Sequence, residues 1–217
     1  MSNIVFPLGI DSFEKIRTEG YYYIDKTEVI AELLRKTVEV NLITRPRRFG
    51  KTLTMDMMAV FFDIRKDTGK LFSGLCIEKN KELCEKWQNN WPVLFLSLKE
   101  VDDKTFEQAE KKLAVNISDL YKEHTYLLES DKVDPADVEL FNKIRYQKAD
   151  SVDIQNALYI LMRMMQACFG KQVIVFIDEY DVPLAKANEG GYYDDMLNLI
   201  RGLLGKTLKT NPFLKFA

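Results

Sequence analysis

Histidine is almost absent from this chain. His124 is the single one in 217 residues, which excludes any mechanism that needs two imidazoles and leaves it as a polar residue at a helix end. Cysteine is scarce too. Cys76, Cys84 and Cys168 are an odd number, show no CxxC spacing and have too few companions for zinc, so the chain reads as one of reduced thiols, as expected in a cytoplasm. A basic excess is also missing. With 31 Lys and Arg against 33 Asp and Glu the formal net charge is −2, which argues against a dedicated nucleic-acid binder. No apolar run approaches the ~20 residues of a membrane span, and the opening MSNIVFPLGID has no signal-peptide pattern. Repeats and low-complexity tracts are lacking. What remains is 47% apolar and 29% charged, an ordinary globular make-up, and the length suffices for one domain with a full core or one domain plus a small appendage.

Two stretches rise above that background. Residues 38–52 read VEVNLITRPRRFGKT: a short apolar run expected as a buried strand, a basic turn, then Gly-Lys-Thr opening the helical run LTMDMMAVFF. Strand, loop, Gly-Lys-Thr and helix in that order is the layout of a phosphate-binding P-loop. Gly50 lets backbone approach a phosphate, Lys51 reaches the β and γ phosphates, and Thr52 offers a hydroxyl to Mg²⁺. The helix N-terminus adds unpaired N–H groups and partial positive charge. The first glycine of the pattern is missing, its place taken by Arg45, and Pro46 has no N–H to donate. Arg45, Arg47 and Arg48 are the residues that compensate, since a guanidinium pairs well with phosphate oxygens. The expected nucleotide-binding set is thus Arg47, Arg48, Phe49, Gly50, Lys51, Thr52 and Leu53. Taken alone, the loop also fits a surface turn with a solvated basic cluster.

Residues 173–179, VIVFIDE, weigh against that plainer reading. Five apolar residues run into two adjacent carboxylates, as in a central parallel strand whose C-terminal end faces a ligand. Asp178 then holds Mg²⁺ through water, and Glu179 is the catalytic group that orients or deprotonates an attacking water. Asp181 is the neighbour that competes for that role.

The rest of the chain supplies an α/β frame. A short helix capped by Asp11 or Ser12 carries Phe13 and Ile16 and ends at Gly20. An aromatic extended piece, residues 21–24, precedes a helix with Val29, Ile30, Leu33 and Leu34 on one face. Residues 1–37 form an N-terminal segment, and the turn at 21–25 is a candidate wall for the base. Further strands are expected at 93–98 and from Phe213 onward, and helices over 103–120, 154–168 and 192–208. Asp134 and Pro135 start a short helix inside 129–151, which reads as a peripheral insertion. Strands alternating with helices imply a three-layer P-loop domain over residues 1–217 around a mainly parallel sheet.

With these residues in place, the chain resembles the AAA-ATPase-like family of bacterial and archaeal P-loop proteins. The resemblance rests on GIDSFEKIRTEGYYYIDKT, LITRPRRFGKTLTMDMM, VIVFIDEYDVPL and LKTNPFLKFA, and so covers nearly the whole chain. It implies ATP and Mg as cofactors, with Gly50, Lys51 and Thr52 for phosphates and metal and Asp178 and Glu179 as the second motif. It also implies the additional-strand class, in which a later strand, here the one starting near Phe213, lies between the P-loop strand and the Asp-Glu strand. In many members a nuclease-like domain of the PD-(D/E)XK type follows; nothing of that kind is present here, so no nuclease activity carries over. Since neither a sensor polar residue nor an arginine finger precedes Ala217, the expectation is an N-terminal fragment with an incomplete sheet.

The expected function is ATP binding and Mg-dependent hydrolysis that drives a conformational change in a partner or downstream domain. The alternatives are a nucleotide-gated interaction module that does not hydrolyse, a nucleic-acid-binding module using the basic loop, and a small-molecule kinase.

Overall fold

The computed structural model describes residues 5–36, 38–44 and 49–217. The chain divides into two compact units, residues 1–93 with Phe216, and residues 94–215 with Ala217.

The first unit is organised on one helix, α3 (Lys51–Phe62). From Thr54 onward every residue of α3 except Asp56 is buried, because the run TMDMMAVFF leaves no polar stripe to face water. Around it lie α1 (Phe13–Thr18), α2 (Glu28–Arg35), two 3₁₀ turns (Gly69–Phe72 and Cys76–Lys79) and α4 (Lys81–Trp87). Ser12 caps α1 by accepting the Lys15 N–H, and Gly20 follows it in the left-handed conformation. Phe72 takes Phe13 and Phe61 at ring separations of 4.9 and 5.1 Å. Phe62 meets Phe216 at 5.7 Å, and Trp87 stacks on Trp91 at 4.9 Å. Such aromatic pairs carry large buried area, so this small unit gains a core of its own. Arg17 sews α1 to the first 3₁₀ turn by donating to the Leu71 and Ser73 carbonyls at 2.7 and 2.8 Å.

The second unit holds all of the sheet except Val93 and Phe216. Its strands are β1 (Val93–Ser97), β2 (Val173–Asp178) and β3 (Leu214–Phe216), in the order β1-β2-β3 and parallel. The helices are α5 (Phe106–Glu123), α6 (Pro135–Arg145), α7 (Ser151–Phe169), α8 (Val182–Gly190) and α9 (Tyr193–Leu208). α7 is the centre of this core and packs against α5, α6, α9 and β2. Its start is fixed by a reciprocal cap between Asp150 and Asp153, its end by Gly170 at φ 68. Among the described residues no helix is long and apolar enough to cross a membrane.

Three features depart from the pattern expected above. Residues 38–44 are not a strand. Val38, Val40 and Leu42 are 53%, 43% and 67% exposed, and among the described residues β3 has no strand neighbour other than β2. The run alternates apolar and polar residues, so unlike β2 it has only one face to bury and needs both a pairing edge and a cover. Residues 129–151 are built into the core rather than laid on it. Val133, Phe141 and Ile144 are buried, and Asp137 on α6 accepts from both Nε (2.8 Å) and Nη2 of Arg163 on α7. His124 does close α5, yet it is buried, with Nδ1 2.9 Å from the Tyr126 hydroxyl.

Candidate nucleotide site

The first candidate region is the start of α3. Gly50 precedes the helix at φ 71 and ψ 36, a left-handed conformation that a side chain would strain, and no side chain caps the helix there. The N–H groups of the first turn are therefore not taken by a cap, and Lys51, Thr52 and Leu53 follow directly, each half-buried. The Gly50 carbonyl accepts from both the backbone N–H and the hydroxyl of Thr54, at 3.0 and 2.8 Å. With the rest of α3 locked in the core, the glycine and the helix mouth are held on rigid support. Phe49 is 60% exposed. Arg45, Arg47 and Arg48, the expected side-chain donors, lie outside the described residues.

Sequence reasoning missed one member of this region. Lys26 donates from Nζ to the Phe49 carbonyl at 3.1 Å, and a methyl group added at Gly50 would meet the same Nζ at 3.3 Å. Its flanking residues fix it in place. Asp25 Oδ1 accepts from the N–H and hydroxyl of Thr27 at 2.8 and 2.7 Å, while Oδ2 accepts the Cys76 N–H at 2.6 Å. Thr27 is fully buried and its hydroxyl accepts the Ile77 N–H at 3.1 Å. Burial pushes the Asp25 carboxyl upward, but the Thr27 and Cys76 hydrogen bonds outweigh it and the net shift is downward.

The aromatic piece just before Lys26 is split between inside and outside. Tyr23 turns in against Phe13 at 5.2 Å, and burial pushes its hydroxyl up to about 12. Tyr22 and Ile24 face out, 48% and 66% exposed, with Tyr22 edge-on to Phe6.

The second candidate region, in the other unit, is the end of β2. Val173, Ile174, Val175 and Phe176 are buried, as is Asp178. The Asp178 carbonyl accepts the Leu98 N–H at 3.0 Å, and its Oδ1 accepts the Glu179 N–H at 3.0 Å. Glu179 is half-buried and sits at φ 52. For a residue with a side chain the left-handed region costs about 1–2 kcal/mol. That conformation persists where the surroundings over-determine it, here between a hydrogen-bonded strand and the start of α8, whose Val182 N–H bonds back to the Glu179 carbonyl at 3.1 Å. Asp181 begins α8 without a side-chain cap bond and is exposed.

The Gly-Lys-Thr and Asp-Glu groups thus each sit at the end of a rigid element, the former in the first unit and the latter in the second. A family model described as Predicted AAA-ATPase matches residues 7–217. The chain belongs to the AAA-ATPase-like family. An uncharacterized protein in the vnfD 5′ region of Azotobacter chroococcum mcd 1 is 29% identical over 185 residues. That alignment covers 85% of this AAA-ATPase-like chain and 30% of the relative, so the chain spans under a third of that protein's length. No solved structure matches.

Proposed function

We propose that this domain binds ATP with Mg²⁺ and hydrolyses the β–γ phosphoanhydride, in a P-loop fold of the additional-strand class. The observation that carries the reading is the start of α3: a left-handed glycine, an uncapped helix N-terminus, and a lysine and threonine in the first turn, all on a helix locked by its own core. A phosphate fits such a mouth, because orphan N–H groups and the positive end of the helix both favour an anion. The donor set suits magnesium as well, which is usually held by one or two protein oxygens together with substrate phosphates rather than by a full protein cage. Bound metal supplies charge neutralisation on the phosphate oxygens.

The protein's own groups then divide the work. Gly50 and the first-turn N–H groups hold phosphate oxygens, and Lys51 donates to the terminal phosphates in ground and transition states alike. Thr52 would offer its hydroxyl to the metal, and Asp178 would hold it through water. Glu179 accepts the proton of the attacking water. The left-handed backbone at Glu179 supports that assignment, since strain held in place by surrounding structure tends to gather at sites of function. The β2–β3 pairing supports the additional-strand reading, and the exposed faces of Tyr22 and Ile24 are where the base rests in it. ATP turnover in this reading drives a conformational change in a partner or downstream domain.

Single-turnover hydrolysis in the full-length protein, measured beside nucleotide affinity, tests this. Lys51→Ala should lose binding. Glu179→Gln should lower turnover by about 10²–10⁴-fold while affinity holds, the usual size of a general-base contribution. Asp178→Asn should weaken the dependence on magnesium. Normal hydrolysis in Glu179→Gln with loss in Asp181→Asn would move the base to Asp181. A wild type that binds ATP and never turns over would make the domain a nucleotide-gated module, and steeply salt-dependent DNA binding indifferent to ATP would make it a nucleic-acid binder.

A further inference from the structure

We infer that Lys26 is a second phosphate-contacting lysine of this site, reaching the β and γ phosphates from outside the P-loop itself. The inference rests on the ATP reading above and deepens it. An ammonium group has three donors and no acceptor. Among the described residues only the Phe49 carbonyl takes one, at 3.1 Å, which leaves two donors to meet phosphate oxygens without the lysine moving away.

Its position is the reason to expect that they do. Nζ lies 3.1 Å from the Phe49 carbonyl oxygen and 3.3 Å from where a Gly50 side chain would begin, one residue before the helix mouth. Gly50 directly precedes the first helical residue, which puts this ammonium beside the mouth where a phosphate would sit on the first-turn N–H groups. The placement is also built. Asp25 and Thr27 on either side of Lys26 are both tied to backbone N–H groups of the 76–77 turn, and Thr27 is fully buried. The stem is thereby anchored on a rigid piece of the first unit, leaving the lysine head aimed at the loop.

The sequence supplies a need for such a donor. Arg45 stands where the first P-loop glycine belongs and Pro46 has no N–H, so the loop has fewer backbone donors than the usual cradle. A lysine delivered from the preceding segment adds one positive charge and two hydrogen bonds to what the loop arginines supply. Gly50 is needed for its left-handed backbone, and a side chain there would also displace Nζ by a few tenths of an ångström.

A merely structural Lys26 would hold the loop through the Phe49 carbonyl and do no more. Lys26→Gln separates the two roles, since an amide still donates to a carbonyl but carries no charge. In the full-length protein, Lys26→Gln should lose about 10–100-fold in ATP affinity, the scale of lost charge-assisted hydrogen bonds. The loss should be smaller for ADP and absent for AMP, and the salt dependence of ATP binding should flatten. Lys26→Arg should recover most of the affinity. A measurement on the wild type needs no variant: MgATP should protect both Lys26 and Lys51 from acetylation. If Lys26→Gln binds ATP within twofold of wild type, or if Lys51 is protected while Lys26 is not, the inference is overturned and the ATP reading stands. If wild type binds no ATP and neither lysine is protected, both fall together.

Discussion

Asp56 shows how a single carboxylate can be placed against its own preference. It is the one charged residue within the buried run of α3, and its Oδ2 accepts the Phe13 N–H at 2.6 Å, satisfying a donor at the start of α1. Burial raises its pKa, and the Phe13 bond only partly offsets that. The sign follows from proton linkage. The folded chain binds the Asp56 proton more tightly than the unfolded chain does. The resulting stabilisation is complete below the ordinary carboxylate pKa and is lost as pH rises through the raised value. Asp56→Asn keeps an acceptor for Phe13 and removes this titration, so its pH profile should lack the decline that Asp56 contributes to the wild type in that mildly acidic window. Asp56→Ala leaves a buried N–H unpaired and should cost about 1–3 kcal/mol at neutral pH. Urea melts across the acid range check both; a wild type and an Asp56→Asn variant with parallel pH profiles would remove the burial argument.

At the scale of elements, what the sequence reveals depends on whether the signal is local. The Asp134-Pro135 start of α6, the Gly170 end of α7 and the five-residue apolar run that opens β2 are each written within a few neighbouring residues, and each forms where expected. Residues 38–44 mislead because an alternating run announces an extended backbone without announcing a partner edge. α8 had only a proline in its first turn as a cue, and VPLAKANEG carries little amphipathic pattern. Lys26 was hidden for another reason: its contact spans 23 residues, and no periodicity reports it. The two helix-end glycines give a matched test of what α3 is for. Gly50 and Gly170 have nearly the same φ, 71 and 68, so Gly50→Ala and Gly170→Ala should each cost about 1–2 kcal/mol of stability. Only Gly50→Ala should also impair ATP binding, because it alone disturbs the phosphate mouth and Lys26. Equal loss of ATP affinity in both would mean that nucleotide binding responds to general stability rather than to the geometry of this turn.

For the whole molecule, ATP chemistry should be visible as time-dependent stability. A ligand that binds only the folded state adds about 2.7 kcal/mol at a hundred times its Kd. Saturating MgATP should therefore raise the melting temperature of the full-length protein, and Lys51→Ala should abolish the rise. An ATPase consumes its own stabiliser. With a limited ATP supply, the wild-type shift should decay toward the ADP value as turnover proceeds. Glu179→Gln should hold the ATP-level shift over the same interval, since removing the base spares binding and stops the water. Excising that side chain with Glu179→Gly should likewise hold the shift, and should raise the ligand-free stability by relieving the left-handed backbone at φ 52. Sequential melts after a single ATP addition, with phosphate release followed in parallel, separate the cases. A shift that persists in the wild type with no phosphate released identifies a switch, and a decay that Glu179→Gln fails to arrest removes Glu179 from the chemistry.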